Sequence, residues 1–372
     1  MSKKIVICGN YGASNIGDEA LLEGIISFVR AAFPVAQITV MSADPAKTSQ
    51  RHHVQSVAFV PCGVRSFVAS LKDGFSKTLQ ALKESDLFIM GGGGLFTDEK
   101  FRAIFIWSIQ GFFASWYHRP IVCIGQSVGP LRTGLGRFFT RRFFKKCRAI
   151  TVRDSISAKV LEGLGFSQVD VLADPAFTLP VKTLDALKRE PFIVLSVRPW
   201  LSSESQNQTH ILAQFIDWVF EKYGFVSKLV PFQTFQDNDV TGLNEIFHSL
   251  KNPESAQMLS FTEDYHEILD SISHARGVVG MRLHSLIFSI LTETPFLALS
   301  YSQKIDGVVN DVEMGEFLIH WKHLSLQELQ DKFDRLMEKQ SSIQQKLTSH
   351  RKRFALLAQK NVDVLQKTFS GL

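Results

Sequence analysis

Short, continuously apolar runs alternate with helix-length segments over most of the chain, and this alternation is what most constrains the fold. In the first half the runs are Ile5–Cys8, Gln37–Met41, Val57–Val60, Leu87–Met90, Ile121–Ile124, Ile150–Val152 and Val169–Leu172. In the second half they are Phe192–Val197, Val226–Pro231, Gln257–Phe261, Gly277–Gly280 and Phe296–Leu299. Strands without a polar face are typical of parallel sheets that helices cover on both sides. The pattern therefore predicts an α/β protein with two doubly wound sheets.

The boundary between the two sheets is predicted within 179–191, where two prolines and a lysine-rich stretch separate the two series of runs. A chain of 372 residues also exceeds what one core usually holds. We predict an N-terminal Rossmann-like domain over 1–180, a C-terminal Rossmann-like domain over 181–325 and helices over 326–372. Since ligands bind at the carboxyl ends of parallel strands, we expect a site in a cleft between the two domains.

Composition places the chain among globular proteins, with 45% hydrophobic and 21% charged residues. The four cysteines, Cys8, Cys62, Cys123 and Cys147, show no CxxC spacing and predict neither a disulfide framework nor a zinc site. No signal peptide is recognisable, and the longest uncharged apolar stretch, 103–117, is too short to span a bilayer. We expect a cytoplasmic protein without a metal.

Basic residues are concentrated in one block. From Lys100 through Arg153 the chain has eleven Lys and Arg and no Asp or Glu. Within the block, 137–148 alternates aromatic with basic pairs and predicts a helix with Phe139, Phe143 and Cys147 on one face. The basic face is either simply solvated or a peripheral contact with the cytoplasmic face of the membrane. No nucleic-acid motif accompanies the block, so we predict no nucleic-acid partner.

The turn after the first predicted strand, residues 9–18, is rich in glycine and contains Asn15 and Asp18. Asn15 is typical of a helix N-cap, and Asp18 follows three residues later. Asp18 is then either half of a capping box or a carboxylate held at the strand edge as a general base. The glycines lack the G-x-G-x-x-G spacing, so the turn does not predict dinucleotide binding.

Two further turns of the first predicted domain are candidates for ligand contact. The strand Leu87–Met90 runs into four glycines, of which Gly92, Gly93 and Gly94 are predicted to let main-chain N–H groups face an anion or a sugar. The alternative is close packing of a helix on the strand. Gln126 and Ser127 form a polar pair in the turn after a later strand.

Basic side chains end strands in both predicted domains. Arg153 ends a strand of the first and either pairs with Asp174 or clamps an anion. In the second, Arg282 and His284 open a helix, and Lys304 follows the next strand. Because helix N-termini and arginines both favour anions, this distribution predicts a small, strongly anionic ligand.

Together these motifs resemble the polysaccharide pyruvyl transferase family, the CsaB-type enzymes that form ketals on cell-wall or exopolysaccharide sugars with phosphoenolpyruvate. The resemblance rests on Asn15-x-Gly17-Asp18-Glu19, the glycine run, Gln126-Ser127, Arg153-Asp154, Asp174-Pro175 and Arg282-Leu283-His284. It implies a glycosyltransferase-B-like architecture of two Rossmann-like domains. It also implies that Arg282, Leu283 and His284 bind phosphoenolpyruvate, with Arg153 and Lys304 as further contacts. Relatives often have Gln-Gly where this chain has Gln126-Ser127, near the acceptor.

We therefore predict transfer of the enolpyruvyl unit onto two hydroxyls of one sugar, with release of phosphate and no cofactor other than the donor. His284 would protonate the methylene carbon and Asp18 would accept the hydroxyl proton. Arg153, Arg282 and Lys304 would neutralise the phosphate and the carboxylate. We expect His284 to act as an acid only when the phosphate is bound. One candidate acceptor sugar is N-acetylmannosamine, and the acceptor would be a lipid-linked saccharide or a nucleotide-linked sugar.

Two other functions fit parts of the same pattern. A nucleotide-sugar-dependent glycosyltransferase would use the same basic residues to hold a diphosphate leaving group. A non-catalytic anion-binding or membrane-surface protein would act through 137–148 and would not depend on His284.

Overall fold

The computed structural model describes residues 2–62, 75–99, 101–199, 205–235 and 237–370. Contacts divide the chain into two compact units. The first unit contains Met1–Ala13, Asp18–Leu179 and Phe354–Leu372, and the second contains Ser14–Gly17 and Pro180–Arg353. The main division, after Leu179, lies next to the boundary that the sequence predicts.

The first unit is built on a parallel sheet with the order β3-β2-β1-β4-β6-β7-β8, in which β5 pairs with β6. Its strands are β1 (Lys4–Cys8), β2 (Gln37–Ser42), β3 (Gln55–Ala58), β4 (Leu87–Met90), β5 (Gly93–Phe96), β6 (Ile121–Val128), β7 (Cys147–Val152) and β8 (Asp170–Val171). The helices that accompany it are α1 (Ile16–Ala32), α2 (Pro45–His52), α3 (Phe75–Glu84), α4 (Phe101–Trp116), α5 (Gly134–Phe144) and α6 (Ser155–Glu162).

Burial explains why these strands form a covered sheet. Every residue of β4 and of β6 is buried, so both faces of the central strands need apolar partners. On one face, Val6, Phe88 and Cys123 share a core cluster with Phe143 of α5. This confirms the parallel, doubly covered sheet that the continuous apolar runs predict.

The second unit repeats the architecture with the strand order β11-β10-β9-β12-β13-β14, again entirely parallel. Its strands are β9 (Glu190–Ser196), β10 (Val226–Leu229), β11 (Ala256–Met258), β12 (Ala275–Gly280), β13 (Phe296–Ser300) and β14 (Leu318–His320). Its helices are α7 (Ser205–Tyr223), α8 (Asp239–His248), α9 (Tyr265–His274), α10 (Leu283–Leu291), α11 (Gln303–Asp311) and α12 (Leu326–Glu338).

The predicted C-terminal helices are α12, α13 (Gln340–Gln359) and α14 (Asn361–Ser370). They do not form a body of their own, because the division between the units falls at Phe354, within α13. In the first unit, Asn361 accepts a hydrogen bond of 2.8 Å from Thr151 of β7. The last helix is therefore tied to the first sheet by a buried polar contact as well as by packing.

The basic segment 137–148 is only partly helical, which corrects the sequence interpretation. Helix α5 ends at Phe144, and Cys147 begins β7, so Cys147 does not share a helix face with Phe139 and Phe143. Lys100, the first residue of the basic block, lies outside the described residues. In the part of the chain that the structure describes, no helix combines the length and apolarity needed to cross a bilayer.

Candidate functional site

Each sheet has a topological switch point, where strand order reverses and the loops after two neighbouring strands diverge. In the first unit β1 lies between β2 and β4; Asp18 is in the first turn of α1, the helix after β1, and the glycine run begins directly after β4. In the second unit β9 lies between β10 and β12, and Arg282 is the second residue after β12. The strand order therefore brings the predicted turns to the edge of each sheet where ligands bind.

Asp18 lies buried at the switch point of the first unit. Asn10, in the turn after β1, donates a hydrogen bond of 2.8 Å to its Oδ2 atom. Gly93, with a φ of +106°, comes so close that a Cβ atom there would lie 3.3 Å from Asp18 Oδ1. Burial raises the pKa of Asp18 to about 7, against the Asn10 hydrogen bond, which lowers it. A carboxyl with that pKa can exchange a proton near neutral pH.

The alternative role for Asp18, half of a capping box, does not agree with these contacts. Asn15 is the N-cap as predicted, since its Oδ1 atom accepts a hydrogen bond of 3.0 Å from the Gly17 amide. Asp18 instead turns to Asn10, a residue of the strand-end turn. The Asp18 carboxylate therefore interacts with the strand-end turn at the edge of the sheet and not with the N-cap residue.

The glycine run serves mainly close packing, the alternative that the sequence left open. A Cβ atom at Gly91 would collide with the Tyr11 hydroxyl, and one at Gly92 would lie 2.8 Å from the carbonyl oxygen of Gly125. Gly93 and Gly94 belong to β5, where Gly94 is exposed. For Gly93, beside Asp18, and for the exposed Gly94 the ligand contact remains a prediction.

Gln126 and Ser127 are fully buried, so the predicted contact with an acceptor is corrected to a supporting role. The Gln126 amide donates to the carbonyl oxygens of Met90, at 3.0 Å, and of Gly91. It thus holds the start of the glycine turn. The Ser127 hydroxyl donates to Asp154 at 2.9 Å, and Asp154 is the N-cap of α6.

Arg153 pairs with Asp174, one of the two roles that the sequence left open. Its NH1 group is 2.5 Å from Asp174 Oδ2, and its Nε group donates to the Ser127 hydroxyl at 2.7 Å. Both charged side chains are buried. The ion pair fixes the guanidinium at the end of β7. Because Asp174 offsets its positive charge, Arg153 attracts an anion less strongly than an arginine without a carboxylate partner would.

A second buried network supports the turn between β1 and α1, which precedes Asp18. Glu19 accepts a hydrogen bond of 2.8 Å from the Gly12 amide, and its other oxygen lies 3.0 Å from His52 Nε2. The Nδ1 atom of His52 is 2.7 Å from Glu23, and Arg51 lies 3.2 Å from Glu19. Burial opposes a charge on His52, but hydrogen bonds to the two glutamates outweigh it and raise the pKa of the imidazole.

In the second unit, Arg282 is the N-cap residue of α10 and is held by Asp239, the first residue of α8. The Arg282 Nε group is 3.1 Å from Asp239 Oδ1, and its NH2 group donates to the same carboxylate and, at 3.1 Å, to the carbonyl oxygen of Asp237. Asp239 also accepts the Phe232 amide at 3.0 Å. This fork contact fixes the plane of the guanidinium.

A second arginine, which the sequence interpretation missed, lies at the same edge. Arg198 follows β9 and forms an ion pair of 3.0 Å with Asp237, while its guanidinium stacks 4.8 Å from the ring centre of Tyr301, after β13. Asp237-Asn238-Asp239 is an Asp-x-Asp sequence, and it could have signalled this cluster. Both of its carboxylates pair with arginines.

His284 is the second residue of α10 and packs against Gly17. A Cβ atom at Gly17 would collide with the imidazole ring, so no larger residue fits there. The segment Ser14–Gly17 belongs to the second unit, where the Ile16 amide donates to the Phe232 carbonyl at 3.0 Å and the Ser14 hydroxyl to Glu263 at 2.9 Å. The glycine of the Asn15-x-Gly17 motif thus makes room for the histidine.

The other predicted donor contacts lie on the same side of the second sheet. Leu283 begins α10, and Lys304 is the second residue of α11, which follows β13; both side chains are half-buried.

Among the described residues, no three His, Cys, Asp or Glu side chains are grouped so as to hold a metal ion.

The second unit also contains a cavity of about 430 Å³ beside β9 and β10. Its lining includes Phe192, Lys228, Glu267 and His274, and none of the predicted site residues. The cavity and the predicted site residues therefore do not coincide in this unit. We place the candidate site at the switch point, because the charged side chains converge there.

Comparisons with known proteins show the family of the chain. The sequence model of the family described as polysaccharide pyruvyl transferase matches residues 15–303. The span includes the predicted positions from Asn15 to His284, and Lys304 lies just beyond it. The amylovoran biosynthesis protein AmsJ from Erwinia amylovora is 24% identical over 368 residues, with 84% of this chain and 87% of AmsJ covered.

Solved structures show the fold. MnaA from S. aureus, solved with UDP, has a TM-score of 0.67 at 11% identity, with 100% of this chain and 98% of that chain covered. Anabaena Alr3699/HepE in complex with UDP has a TM-score of 0.63 at 17% identity, with 99% and 100% covered. The chain has the glycosyltransferase-B type of fold, as predicted, and these low identities carry no conclusion about its ligand.

Proposed function

The chain belongs to the polysaccharide pyruvyl transferase family, and we propose that it transfers pyruvate from phosphoenolpyruvate onto two hydroxyls of one sugar of an exopolysaccharide. The observation that carries the proposal is the position of Arg282 and His284, which open a helix at the switch point of the second sheet. A helix N-terminus with a fixed guanidinium suits an anion such as a phosphate monoester. The similarity to AmsJ supports an exopolysaccharide acceptor.

In the proposed reaction, His284 gives a proton to the methylene carbon of phosphoenolpyruvate, which becomes the methyl group. The cationic character that develops at C2 is relieved when one sugar hydroxyl attacks, and its proton passes to Asp18. Departure of phosphate from C2 lets the second hydroxyl close the ketal, and the proton of that hydroxyl leaves with the phosphate. Because the pKa of Asp18 is about 7, its carboxylate is available as a base near neutral pH.

The other residues have binding and supporting roles in this proposal. Arg282, Leu283, Lys304 and Arg153 remain the predicted contacts of the donor. Asp239 orients Arg282 through the fork contact and so acts on the donor indirectly. No cofactor besides the donor takes part in the proposed chemistry.

The proposal is tested by following phosphate release from phosphoenolpyruvate with a panel of lipid-linked or nucleotide-linked N-acetylmannosamine, galactose and glucose. In D2O the ketal methyl group should carry one deuterium, because its third hydrogen comes from the solvent through His284. Mass spectrometry of the product reads this directly.

A variant pair makes the test specific to the proposed acid. His284→Ala should lower kcat by about 10²- to 10⁴-fold, while His248→Ala, at an exposed histidine of the same unit, should leave it unchanged. The proposal fails if the folded protein releases no phosphate across the panel, or if it consumes nucleotide sugars without phosphoenolpyruvate.

A further inference from the structure

Helices α4 and α5 of the first unit pack side by side and form one surface element. Gly111 of α4 lies directly against the ring of Phe143, and the rings of Phe105 and Phe139 are 4.5 Å apart. Just beyond the end of α5, Lys146 donates a hydrogen bond of 3.0 Å to the Ser115 hydroxyl of α4. The contacts run along both helices, so their outward side chains belong to one part of the surface.

That surface exposes large apolar side chains that a soluble protein normally buries. Phe112 is 43% exposed, Trp116 66%, Leu135 58% and Phe138 57%. They are four of the eight large hydrophobic side chains that are exposed in the described residues. Single exposed hydrophobic residues occur on any protein surface, but these four lie on one pair of helices. Such a group of exposed apolar side chains is typical of an interaction site.

Cationic side chains accompany these apolar residues. Arg137, Arg141, Arg142 and Lys145 are exposed on or next to α5, and none forms an ion pair with a carboxylate of the described residues. The ammonium group of Lys146 lies 5.3 Å from the ring centre of Phe112. We call this set, Phe112, Trp116, Leu135 and Phe138 with Arg137, Arg141, Arg142 and Lys145, the aromatic–basic face.

One carboxylate close to this face does not neutralise it. Asp98 lies at the N-terminal end of α5, where its Oδ2 atom accepts the Thr133 amide at 2.6 Å. Burial acts against the charge of Asp98, but hydrogen bonds from the backbone of Arg132 and Thr133 outweigh it and lower its pKa. The negative charge of Asp98 is therefore directed at the N-terminus of α5, and the net charge of the aromatic–basic face stays positive.

We propose that the aromatic–basic face docks on an anionic phospholipid surface. Exposed Phe, Trp and Leu side chains enter the boundary between headgroups and acyl chains, while neighbouring arginines and lysines meet the phosphates. A second copy of the chain fits less well, because a two-fold contact would oppose the same unpaired cations. Duplex nucleic acid also fits less well, because its phosphate backbone would make no favourable contact with the exposed apolar side chain of Leu135. The proposal is independent of the pyruvyl transfer reaction.

Cosedimentation of the full chain with vesicles tests the proposal. We expect binding to phosphatidylcholine vesicles that contain phosphatidylglycerol, no binding to phosphatidylcholine alone, and weaker binding in high salt. The triple variant Arg141→Gln, Arg142→Gln, Lys145→Gln should weaken binding roughly 100-fold, because each cation near an anionic surface adds about fivefold. Trp116→Ser with Phe138→Ser should weaken it at least about tenfold.

A matched control variant replaces exposed basic and apolar residues on a different helix. Leu356 is 72% exposed on α13 and lies between the exposed Lys352 and Lys360. The variant Lys352→Gln, Leu356→Ser, Lys360→Gln should bind as the unsubstituted chain does. Circular dichroism and melting temperature show that each variant is folded.

Fluorescence gives a second readout. Brominated lipids should quench the chain strongly, and the quenching should fall when Trp116→Phe removes the exposed indole. The proposal is overturned if the folded chain ignores anionic vesicles, or if the control variant loses as much binding as the face variants. It is equally overturned if the face variants abolish instead a stable dimer or the binding of an oligonucleotide.

Discussion

The switch points of the two sheets hold charge in opposite ways. At the first, Asp18 is buried beside a neutral amide, and its pKa rises to about 7. At the second, Arg282 and Arg198 each face a carboxylate, Asp239 and Asp237. The same strand topology therefore supports one edge with an unpaired, titratable acid and another with paired cations of fixed geometry.

The difference indicates that the two switch points have different chemical roles. A carboxyl without a counter-charge responds to small changes in its surroundings, so it suits proton transfer. A guanidinium locked by a fork contact keeps its charge and its plane, so it suits the orientation of an anion. Breaking either arrangement should therefore produce a different kind of defect.

The largest expected effect follows from removal of the titratable acid. Asp18→Asn should lower kcat by about 10²- to 10⁴-fold, since the amide cannot accept a proton. In the unsubstituted enzyme, kcat/KM should fall tenfold per pH unit below about 7, the pKa of Asp18. Steady-state kinetics against pH measures both, and an unchanged acid limb in Asp18→Asn would exclude Asp18 as the base.

The same substitution should stabilise the fold. The pKa of Asp18 is raised from 3.8 to about 7 in the folded state, so the protein loses stability as pH rises from about 4 through 7. Asp18→Asn lacks this loss and should raise the free energy of unfolding at pH 8 by about 1–3 kcal/mol. Asp170→Asn, at an exposed carboxylate of β8, is the control and should change little.

Next in size is the loss of a fixed pair. Asp239→Asn leaves the Arg282 guanidinium in a buried site without its counter-charge and should cost about 3–5 kcal/mol in urea unfolding. Asp237→Asn is the matched control. The Asp237 side chain is 26% exposed and that of Asp239 is not exposed, so Asp237→Asn should cost about 1 kcal/mol or less. Equal losses in the two variants would contradict the distinction.

A smaller effect is expected where Gly17 makes room for His284. Gly17→Ala should displace the imidazole and lower kcat/KM, with a cost of about 1–3 kcal/mol in unfolding free energy from overpacking. Gly134→Ala is the control, because a Cβ atom at Gly134 meets nothing within 4 Å. If Gly17→Ala retained full activity, the close contact with His284 would have no part in the reaction.

The smallest effect concerns the support of the turn before Asp18. Because the pKa of His52 is raised above 6.5, its ion pairs stabilise the fold below pH 6.5 and weaken as pH rises through the raised value. His52→Gln should cost about 1 kcal/mol at pH 6 and less at pH 9. Thermal melts of both proteins across this range measure the difference, and a constant difference would rule out a charged His52.

Local sequence predicted twelve of the fourteen described strands, and the two that it missed show its limit. All twelve apolar runs became strands, with ends shifted by a few residues. β5 was missed because Gly93 and Gly94 form half of it, and β14 because it has only three residues. Helix α5 was predicted too long, since its alternation of aromatic and basic pairs continues past Phe144 into β7.

The sequence by itself determined the two parallel sheets, the Asn15 cap, and the positions of Asp18, Arg282 and His284 at strand ends, because apolar periodicity and capping are properties of short segments. Only the tertiary structure decided that Arg153 pairs with Asp174, that Gln126 is buried, and that Asp239 holds Arg282 from 43 residues away. Those contacts depend on which strands are neighbours. Strand order places β1 beside β4 and β9 beside β12, and no local pattern encodes it.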